Sequence, residues 1–182
     1  MTDPAPFNPY SRLPQKPSFE LRSTDVEDGE PLPPAQYAAS VGGGDTSPQL
    51  AWSAFPAETQ SFAVTAYDPD APTGAGFWHW AVFNIPASVT SLPTGAGAAG
   101  GAALPAGAVM LPNDMRAPQF AGAAPPEGTG VHHYYLVVHA VDVPTLDIPA
   151  EATPTVLGFT LNFHTLARAM IVPTGEFGGQ EA

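Results

Sequence analysis

The 182-residue chain contains no cysteine and very few basic residues, and these two shortages exclude several kinds of protein. Without cysteine there is no disulfide, no thiolate nucleophile and no zinc site with sulfur ligands. Lysine and arginine number 5 against 17 aspartates and glutamates, which gives a formal net charge of −12. Such a surface repels nucleic-acid phosphates and anionic lipid headgroups. We therefore expect no nucleic-acid partner and no stable membrane anchoring.

Charged residues of either sign make up only 12% of the chain, whereas 44% are hydrophobic. Proline (23) and glycine (18) are abundant, and proline ends helices and interrupts strands. Many short strands are therefore expected rather than a helical bundle. The length suits a single domain with a substantial core. We place this domain over residues 18–182, after an extended, proline-rich arm over residues 1–17.

Long apolar runs are also missing, since none approaches the roughly 18 residues that cross a membrane. The N-terminal sequence MTDPAPFNPYSRLPQKPSF lacks the basic and apolar regions of a secretory signal. We therefore expect a cytoplasmic protein.

Apolar alternation and continuous apolar runs predict five strands. They cover residues 19–23, 49–53, 61–67, 79–85 and 134–143. After Thr153, which can act as an N-cap, Pro154 begins a predicted helix that covers most of the range from Pro154 to Ala169. Its predicted apolar stripe consists of Val156, Phe159, Phe163, Leu166 and Met170.

Two short segments each join a rigid turn to a histidine at the start of an apolar run. The first is DPDAP (residues 68–72) followed by FWHW (77–80), and the second is PPEGTGVHHY (125–134). Proline fixes φ and glycine permits positive φ, so such turns hold polar side chains in place at little entropic cost. The two segments together predict a small polar pocket.

In this order, DPDAP, FWHWAVFNIP and NDM…FAGAAPPEGTGVHHYY resemble the phosphatidylethanolamine-binding protein family. They look most like its bacterial Raf-kinase-inhibitor-like (YbhB/YbcL) group, actinobacterial members especially, over residues 18–171. The resemblance implies a mainly β fold with two antiparallel sheets and a peripheral C-terminal helix. It also implies a ligand pocket that holds small anions or phospho-headgroups in relatives. The residues that match this pocket are Asp68, Asp70, His79, Pro125, His132 and Tyr134.

The chemistry of these side chains suits an anion, because histidine changes between a neutral donor and a cation near neutral pH. The resemblance implies a non-enzymatic binding protein for small anions or phosphatidylethanolamine-type ligands, which modulates a kinase, a protease or another partner. Binding should tighten below about pH 6.5, the ordinary histidine pKa, and neighbouring aspartates would move this window upward. No cofactor is expected, and no metal, since the histidine and aspartate spacing matches no metal signature.

Other interpretations remain open for the same residues. Asp68 and Asp70 suit a local turn in which carboxylates cap backbone N–H groups. In a regular strand, His79 would point away from both neighbouring tryptophans and could be a core histidine. A hydrolase would use Asp68 and His79 as an acid–base pair, although the sequence names no nucleophile and GxSxG is absent. A protein-interaction module would need no ligand at all. The remaining histidines, interpreted as surface or packing residues, are His133, His139 and His164.

Departures from the family pattern bear on ligand preference. Alanine occupies positions 123 and 124 before the two prolines, Phe120 stands where tyrosine is common, and Pro173 begins an unusual ending. The resemblance further implies a homodimer that tightens as salt screens the negative charge. Candidate interface segments are the arm, with Phe7 and Tyr10, and the loop over residues 94–107.

Overall fold

The computed structural model describes residues 7–181, and β-strands form most of the regular structure in this range. The strands are β1 (Glu20–Arg22), β2 (Leu50–Ser53), β3 (Ser61–Asp68), β4 (Phe77–Pro86), β5 (Ser91–Leu92), β6 (Val109–Met110), β7 (His132–His133), β8 (Tyr135–Val141), β9 (Thr165–Ile171) and β10 (Thr174–Gly175). One α-helix, α1 (Pro154–His164), lies between β8 and β9.

The strands form a large central sheet and smaller ones beside it. The central sheet has five strands in the order β6-β4-β3-β8-β9, and a second sheet has the order β1-β2-β5. Strands β7 and β10 form a further pair, and the strand ladders are antiparallel throughout. The predicted mainly β fold with antiparallel sheets and a C-terminal helix is confirmed.

Both faces of the central sheet are buried. Its middle strands, β3 and β8, are buried along almost their whole length, so their side chains are covered on both faces. One face packs against the smaller sheet in the main core, where Phe62 and Val64 meet Leu50 and Trp52. The opposite face packs against α1 through Leu161 and its neighbours. The continuous apolar runs in the sequence follow from this two-sided burial.

The predicted helix begins at Pro154 and covers most of the predicted range, but the face that it buries is wrong. It ends at His164, and the next seven residues form β9, which pairs with β8. Sheet pairing overrides the local helical spacing there. The buried helix residues are Pro154, Leu157 and Leu161. Phe159 and Phe163, which belong to the predicted stripe, are 70% and 64% exposed.

A β-bulge at His79 shapes β4 where it begins. Ala66 pairs with Trp80, but the next residue, Tyr67, pairs with Trp78, so His79 is the extra residue. The two tryptophans therefore lie on opposite faces: Trp78 contacts Tyr67, whereas Trp80 lies in the main core. The expectation that both tryptophans point away from His79 is wrong, since a bulge shifts the alternation by one residue.

The N-terminal segment packs against the central sheet. The first six residues of the predicted arm lie outside the described residues. Pro9–Arg12 form a 3-10 turn, and Tyr10, a candidate for the dimer interface, is buried against Tyr135 and Val137 of its own chain. Across residues 7–181, no helix has the length and hydrophobicity needed to cross a membrane.

Candidate functional site

The predicted pocket residues meet at a cavity of about 540 Å³, which we call the main cavity. Five of the six predicted residues line it, and Asp70 does not. Asp68 ends β3, His79 belongs to β4 and His132 to β7, while Pro125 and Tyr134 flank β7. The cavity therefore forms where two turns of the sequence, about 60 residues apart, come together at one end of the central sheet.

Asp68 and His132 form a buried pair in the wall of the main cavity. The Nδ1–H of His132 donates to Asp68 Oδ2 at 2.7 Å. The other carboxylate oxygen accepts the backbone N–H groups of Asp70 and Ala71, at 2.8 and 3.1 Å. Asp68 thus caps the local turn, as in the alternative interpretation, and also holds His132. None of its oxygens is free of a protein donor.

The second nitrogen of His132 is occupied as well, by Thr129. Thr129 Oγ1 lies 2.8 Å from His132 Nε2 and 2.7 Å from the carbonyl oxygen of Pro126. A hydroxyl has one hydrogen, so it can donate to only one of these two atoms. If it donates to Pro126, His132 is the donor at both nitrogens and is charged; if it donates to His132, the histidine is neutral. In both arrangements, both ring nitrogens of His132 form hydrogen bonds within the protein.

His79 differs, because only one of its nitrogens is used. Its Nδ1 lies 2.8 Å from the carbonyl oxygen of Ala121, an acceptor, so Nδ1 carries a hydrogen. Burial lowers the pKa of His79, although the Ala121 carbonyl and Asp68 favour the charged form. The neutral ring therefore presents Nε2 as a hydrogen-bond acceptor. For His79, the expected upward shift of the pKa is therefore wrong, since burial outweighs the aspartates.

Aromatic rings fix the orientation of His79. The Phe77 ring lies 4.7 Å from the imidazole, between centroids, and the Tyr134 ring packs edge-on at 5.3 Å. The Tyr134 hydroxyl is buried without a hydrogen-bond partner among residues 7–181, and burial raises its pKa. Phe77 was not predicted as a site residue. Phe77 lies beside the main cavity because it pairs with Asp68 on the neighbouring strand, two residues before the bulge at His79.

Asp70, although predicted as a pocket residue, serves His133 instead. Its Oδ2 accepts the backbone N–H of His133 at 2.8 Å and the ring Nδ1–H at 2.7 Å. Both side chains are about one quarter exposed. Consecutive strand residues point to opposite sides, so His133 faces away when His132 faces the cavity, and Asp70 follows it.

The segment over residues 121–124 forms one wall and lies directly against residues 37 and 38. The Ala38 N–H donates to the Ala123 carbonyl, and the Ala123 N–H donates to the Gln36 carbonyl. Asp45 Oδ1 accepts the N–H of Gly122 at 2.8 Å. A Cβ on Gly122 would collide with backbone atoms of Tyr37. Phe120, the departure from the family pattern, packs on Trp80 in the core and does not line the main cavity.

A loop that the sequence interpretation left without a role forms another wall. The side chain of Asn113 holds it, donating to the Gln119 carbonyl at 3.0 Å and accepting the N–H groups of Met115 and Ala117. Asp114 accepts the N–H of Trp78 at 2.8 Å, which ties the loop to β4. The NDM motif was the available signal for this wall.

The main cavity is acidic rather than basic. Asp45 and Asp68 line it, and no lysine or arginine does. Within the part of the chain that the structure describes, no three histidine or carboxylate side chains are grouped to hold a metal ion. The cavity can therefore offer a ligand one imidazole acceptor, apolar and aromatic walls, and negative charge.

Comparison with known proteins places this chain among relatives of the same size. The family model described as phosphatidylethanolamine-binding protein matches residues 22–176. The YbcL protein of Escherichia coli is 44% identical over 164 residues, which cover 89% of this chain and 90% of YbcL. The YbhB protein of the same organism is 44% identical over 155 residues, which cover 84% of this chain and 97% of YbhB.

Solved structures agree with this assignment. The crystal structure of E. coli YbcL, described as a new member of the mammalian PEBP family, superimposes with a TM-score of 0.85 at 44% identity. The match covers 88% of this chain and 99% of YbcL. The predicted resemblance, including its bacterial YbhB/YbcL group, is confirmed. The chain belongs to the phosphatidylethanolamine-binding protein family.

Proposed function

We propose that the main cavity binds a phosphate monoester of the phosphoethanolamine type, with one proton on the phosphate, and that the protein acts as a binding protein. The observation that carries the proposal is the hydrogen bond from His79 Nδ1–H to the Ala121 carbonyl. It leaves Nε2 as an acceptor in a cavity whose other imidazole, His132, has no free nitrogen.

An acceptor at this position selects the protonation state of the ligand. A phosphate monoanion has a P–OH group that can donate to His79 Nε2, whereas a fully ionised phosphate would place an oxygen lone pair against it. Unpaired acceptors of this kind are strongly disfavoured in buried sites. The alternative, protonation of His79 itself, also adds one proton on binding. Both routes make binding tighter as the pH falls.

The acidic lining favours a zwitterionic ligand over a simple anion. Asp45 lies in the cavity wall, and there is no lysine or arginine to balance a second negative charge. An ammonium group on the ligand would meet Asp45 or Asp68 while the phosphate meets His79. An ammonium group and a carboxylate within the same cavity attract each other. Phosphoethanolamine supplies both groups, and ethyl phosphate lacks only the ammonium.

Isothermal titration calorimetry tests the proposal with three matched ligands. Phosphoethanolamine should bind about 25-fold more tightly at pH 5.5 than at pH 7.5, because the second phosphate pKa is about 6 and the singly protonated fraction changes by this factor. Ethyl phosphate should bind more weakly, and sulfate, which carries no proton at either pH, should bind weakest. Equal affinity for sulfate and phosphoethanolamine, or no binding of either, would contradict the proposal.

Two variants test whether His79 is the residue that contacts the phosphate. His79→Asn removes the oriented Nε2 acceptor and should abolish the pH dependence. His133→Asn is the matched control, since this imidazole lies outside the main cavity and pairs with Asp70. A loss of binding in both variants would indicate a general effect on the fold rather than a contact with the ligand.

One arrangement favours a hydrolase as a second candidate. Thr129, His132 and Asp68 follow the order nucleophile, base and orienting acid, with 2.8 and 2.7 Å between their polar atoms. Thr129 does not line the main cavity, however, so a ligand there does not reach its hydroxyl. Ester hydrolysis that is lost in Thr129→Val, in a sample free of contaminating esterase, would favour the enzyme. Unchanged background hydrolysis favours the binding protein.

A further inference from the structure

A second cavity, of about 570 Å³, lies on the other face of the central sheet, and we call it the rear cavity. Thr65 of β3, His139 of β8 and Arg168 of β9 line it from the sheet. Tyr10 lines it from the N-terminal segment, and Leu161 from α1. It shares no lining residue with the main cavity. Its size lies in the range of small-molecule sites.

The charge of the rear cavity is opposite to that of the chain. Arg12 and Arg168, two of the five basic residues, line it, and no aspartate or glutamate of residues 7–181 does. Local basic charge in an acidic protein focuses anions toward one place. The main cavity has the reverse composition, with two aspartates and no lysine or arginine.

Arg168 is buried, and no acidic residue of the described range pairs with it. It is 8% exposed, and the ion pairs of residues 7–181 do not include it. Its Nε has no hydrogen-bond partner among the described residues. Its guanidinium carbon lies 4.7 Å from the centroid of the Tyr10 ring, which covers one face of the group. Stacking of this kind leaves the N–H groups at the edge free to bind an anion.

A buried cation without a partner is costly, and burial lowers the pKa of Arg168 accordingly. A residue that contributes only to packing would not need this charge. A bound anion would compensate it, and a guanidinium holds a carboxylate through two parallel hydrogen bonds. Arg168 therefore has the burial, the charge and the free edge that an anion site requires.

Neutral groups beside Arg168 complete the set of donors. Tyr10 and Thr65 each bring a hydroxyl, and the two lie near each other, since burial raises the pKa of Tyr10 while Thr65 lowers it. Burial lowers the pKa of His139 to about 3, so its imidazole is neutral at physiological pH. The site therefore holds one buried positive charge, from Arg168. Arg12 lies at its exposed edge.

We propose that the rear cavity binds a small monocarboxylate with an apolar or aromatic body, held by Arg168. One buried cation matches one negative charge, whereas a phosphate dianion would leave a charge uncompensated. The body of the ligand would contact the apolar part of the lining. That part includes Leu13, Trp78, Phe159 and Leu161. This proposal does not depend on the function proposed for the main cavity.

Benzoate and its neutral isostere benzamide test the proposal, with calorimetry as the readout. Benzoate should bind with a Kd of about 1 mM or tighter, as a ligand of its size allows. Benzamide should bind at least tenfold more weakly, since it lacks the negative charge that strengthens hydrogen bonds to a guanidinium. Inorganic phosphate should not compete. Equal binding of benzoate and benzamide would overturn the proposal.

Arg168→Met separates a binding role from a structural one. It should weaken benzoate at least tenfold and leave the thermal midpoint of the free protein unchanged or raised, because a buried unpaired charge is removed. Unchanged benzoate affinity, or a lowered midpoint with benzoate and benzamide equally affected, would overturn the proposal. If Arg168→Met fails to fold, Arg168→Lys takes its place. Lysine keeps the positive charge but cannot form two parallel hydrogen bonds to a carboxylate, so this variant should retain only part of the benzoate affinity.

Controls locate the binding. Arg22→Met removes an exposed arginine outside the cavity, and His79→Asn alters the main cavity, so neither should change benzoate affinity. Asp3 lies outside the described residues, so the titration is repeated with Asp3→Asn to test whether this carboxylate affects benzoate binding. Failure of benzoate to bind in both backgrounds overturns the proposal.

Discussion

Three histidine–aspartate pairs of nearly equal length allow the effect of burial on a charged pair to be measured within one protein. Asp68–His132 and Asp70–His133 are 2.7 Å apart, and Asp142–His164 is 2.8 Å apart. The aspartate side chains are 4%, 27% and 41% exposed, respectively. Truncation to alanine should therefore cost free energy of unfolding in this order.

Asp68→Ala should cost about 3–5 kcal/mol, the usual effect of removing one partner of a buried pair. It leaves His132 Nδ1 and two backbone N–H groups without acceptors. At this chain length the loss corresponds to a fall in Tm of roughly 6–20 °C. Asp142→Ala should cost less than about 1 kcal/mol, because solvent screens an exposed pair. Asp70→Ala should fall between them.

Urea unfolding at neutral pH, with the m-values compared, measures these differences. Added salt should reduce the effect of Asp142→Ala and leave that of Asp68→Ala, since buried pairs are screened less. Asp68→Asn should cost less than Asp68→Ala, because its amide can donate to His132 Nδ1 while Nε2–H donates to Thr129. Equal costs for Asp68→Ala and Asp142→Ala would refute the reasoning.

Two further predictions follow from burial. The pKa values of His79 and His139 are lowered in the folded state, so the unfolded chain takes up protons first as the pH falls. The free energy of unfolding should therefore be highest above about pH 6.5 and fall as the pH is lowered toward 3. His139 alone should account for a fall on the order of 4 kcal/mol. Urea unfolding across this range should show a smaller fall in His139→Gln, and an identical fall would contradict the assignment. Leu161→Ala should cost about 2–5 kcal/mol by thermal unfolding, because Leu161 is buried, whereas Phe159→Ala should cost less than about 0.5 kcal/mol. A larger loss of stability in Phe159→Ala than in Leu161→Ala would indicate that α1 buries the face that the sequence predicted.

Sequence patterns were sufficient wherever local chemistry determines structure. Runs of alternating and continuous apolar residues located β1, β2, β3, β4 and β8, and Pro154 marked the first residue of α1. The family resemblance that the turn motifs carry named six pocket residues, and five of them line the main cavity. Proline and glycine constrain the backbone directly, so these motifs have the same geometry wherever they occur.

Tertiary pairing decided the features that the sequence misplaced. The helical spacing continues past His164, but β8 pairs with the residues that follow and makes them β9. Both faces of α1 carry large apolar residues, so the spacing alone did not tell which face is buried. Asp70 and His132 are separated by about 60 residues, and only the alternation of β7 shows that Asp70 meets His133 instead of the cavity.

The sequence by itself determined the family, the β-rich architecture and the two turns that bring Asp68 and His132 to one site. The structure decided which nitrogens of the histidines remain free, and it brought Arg168 and Tyr10 together in the rear cavity. Local motifs specify residue types and backbone angles. Hydrogen-bond partners and burial depend on segments distant in the chain, and these set the charge and the binding chemistry of both cavities.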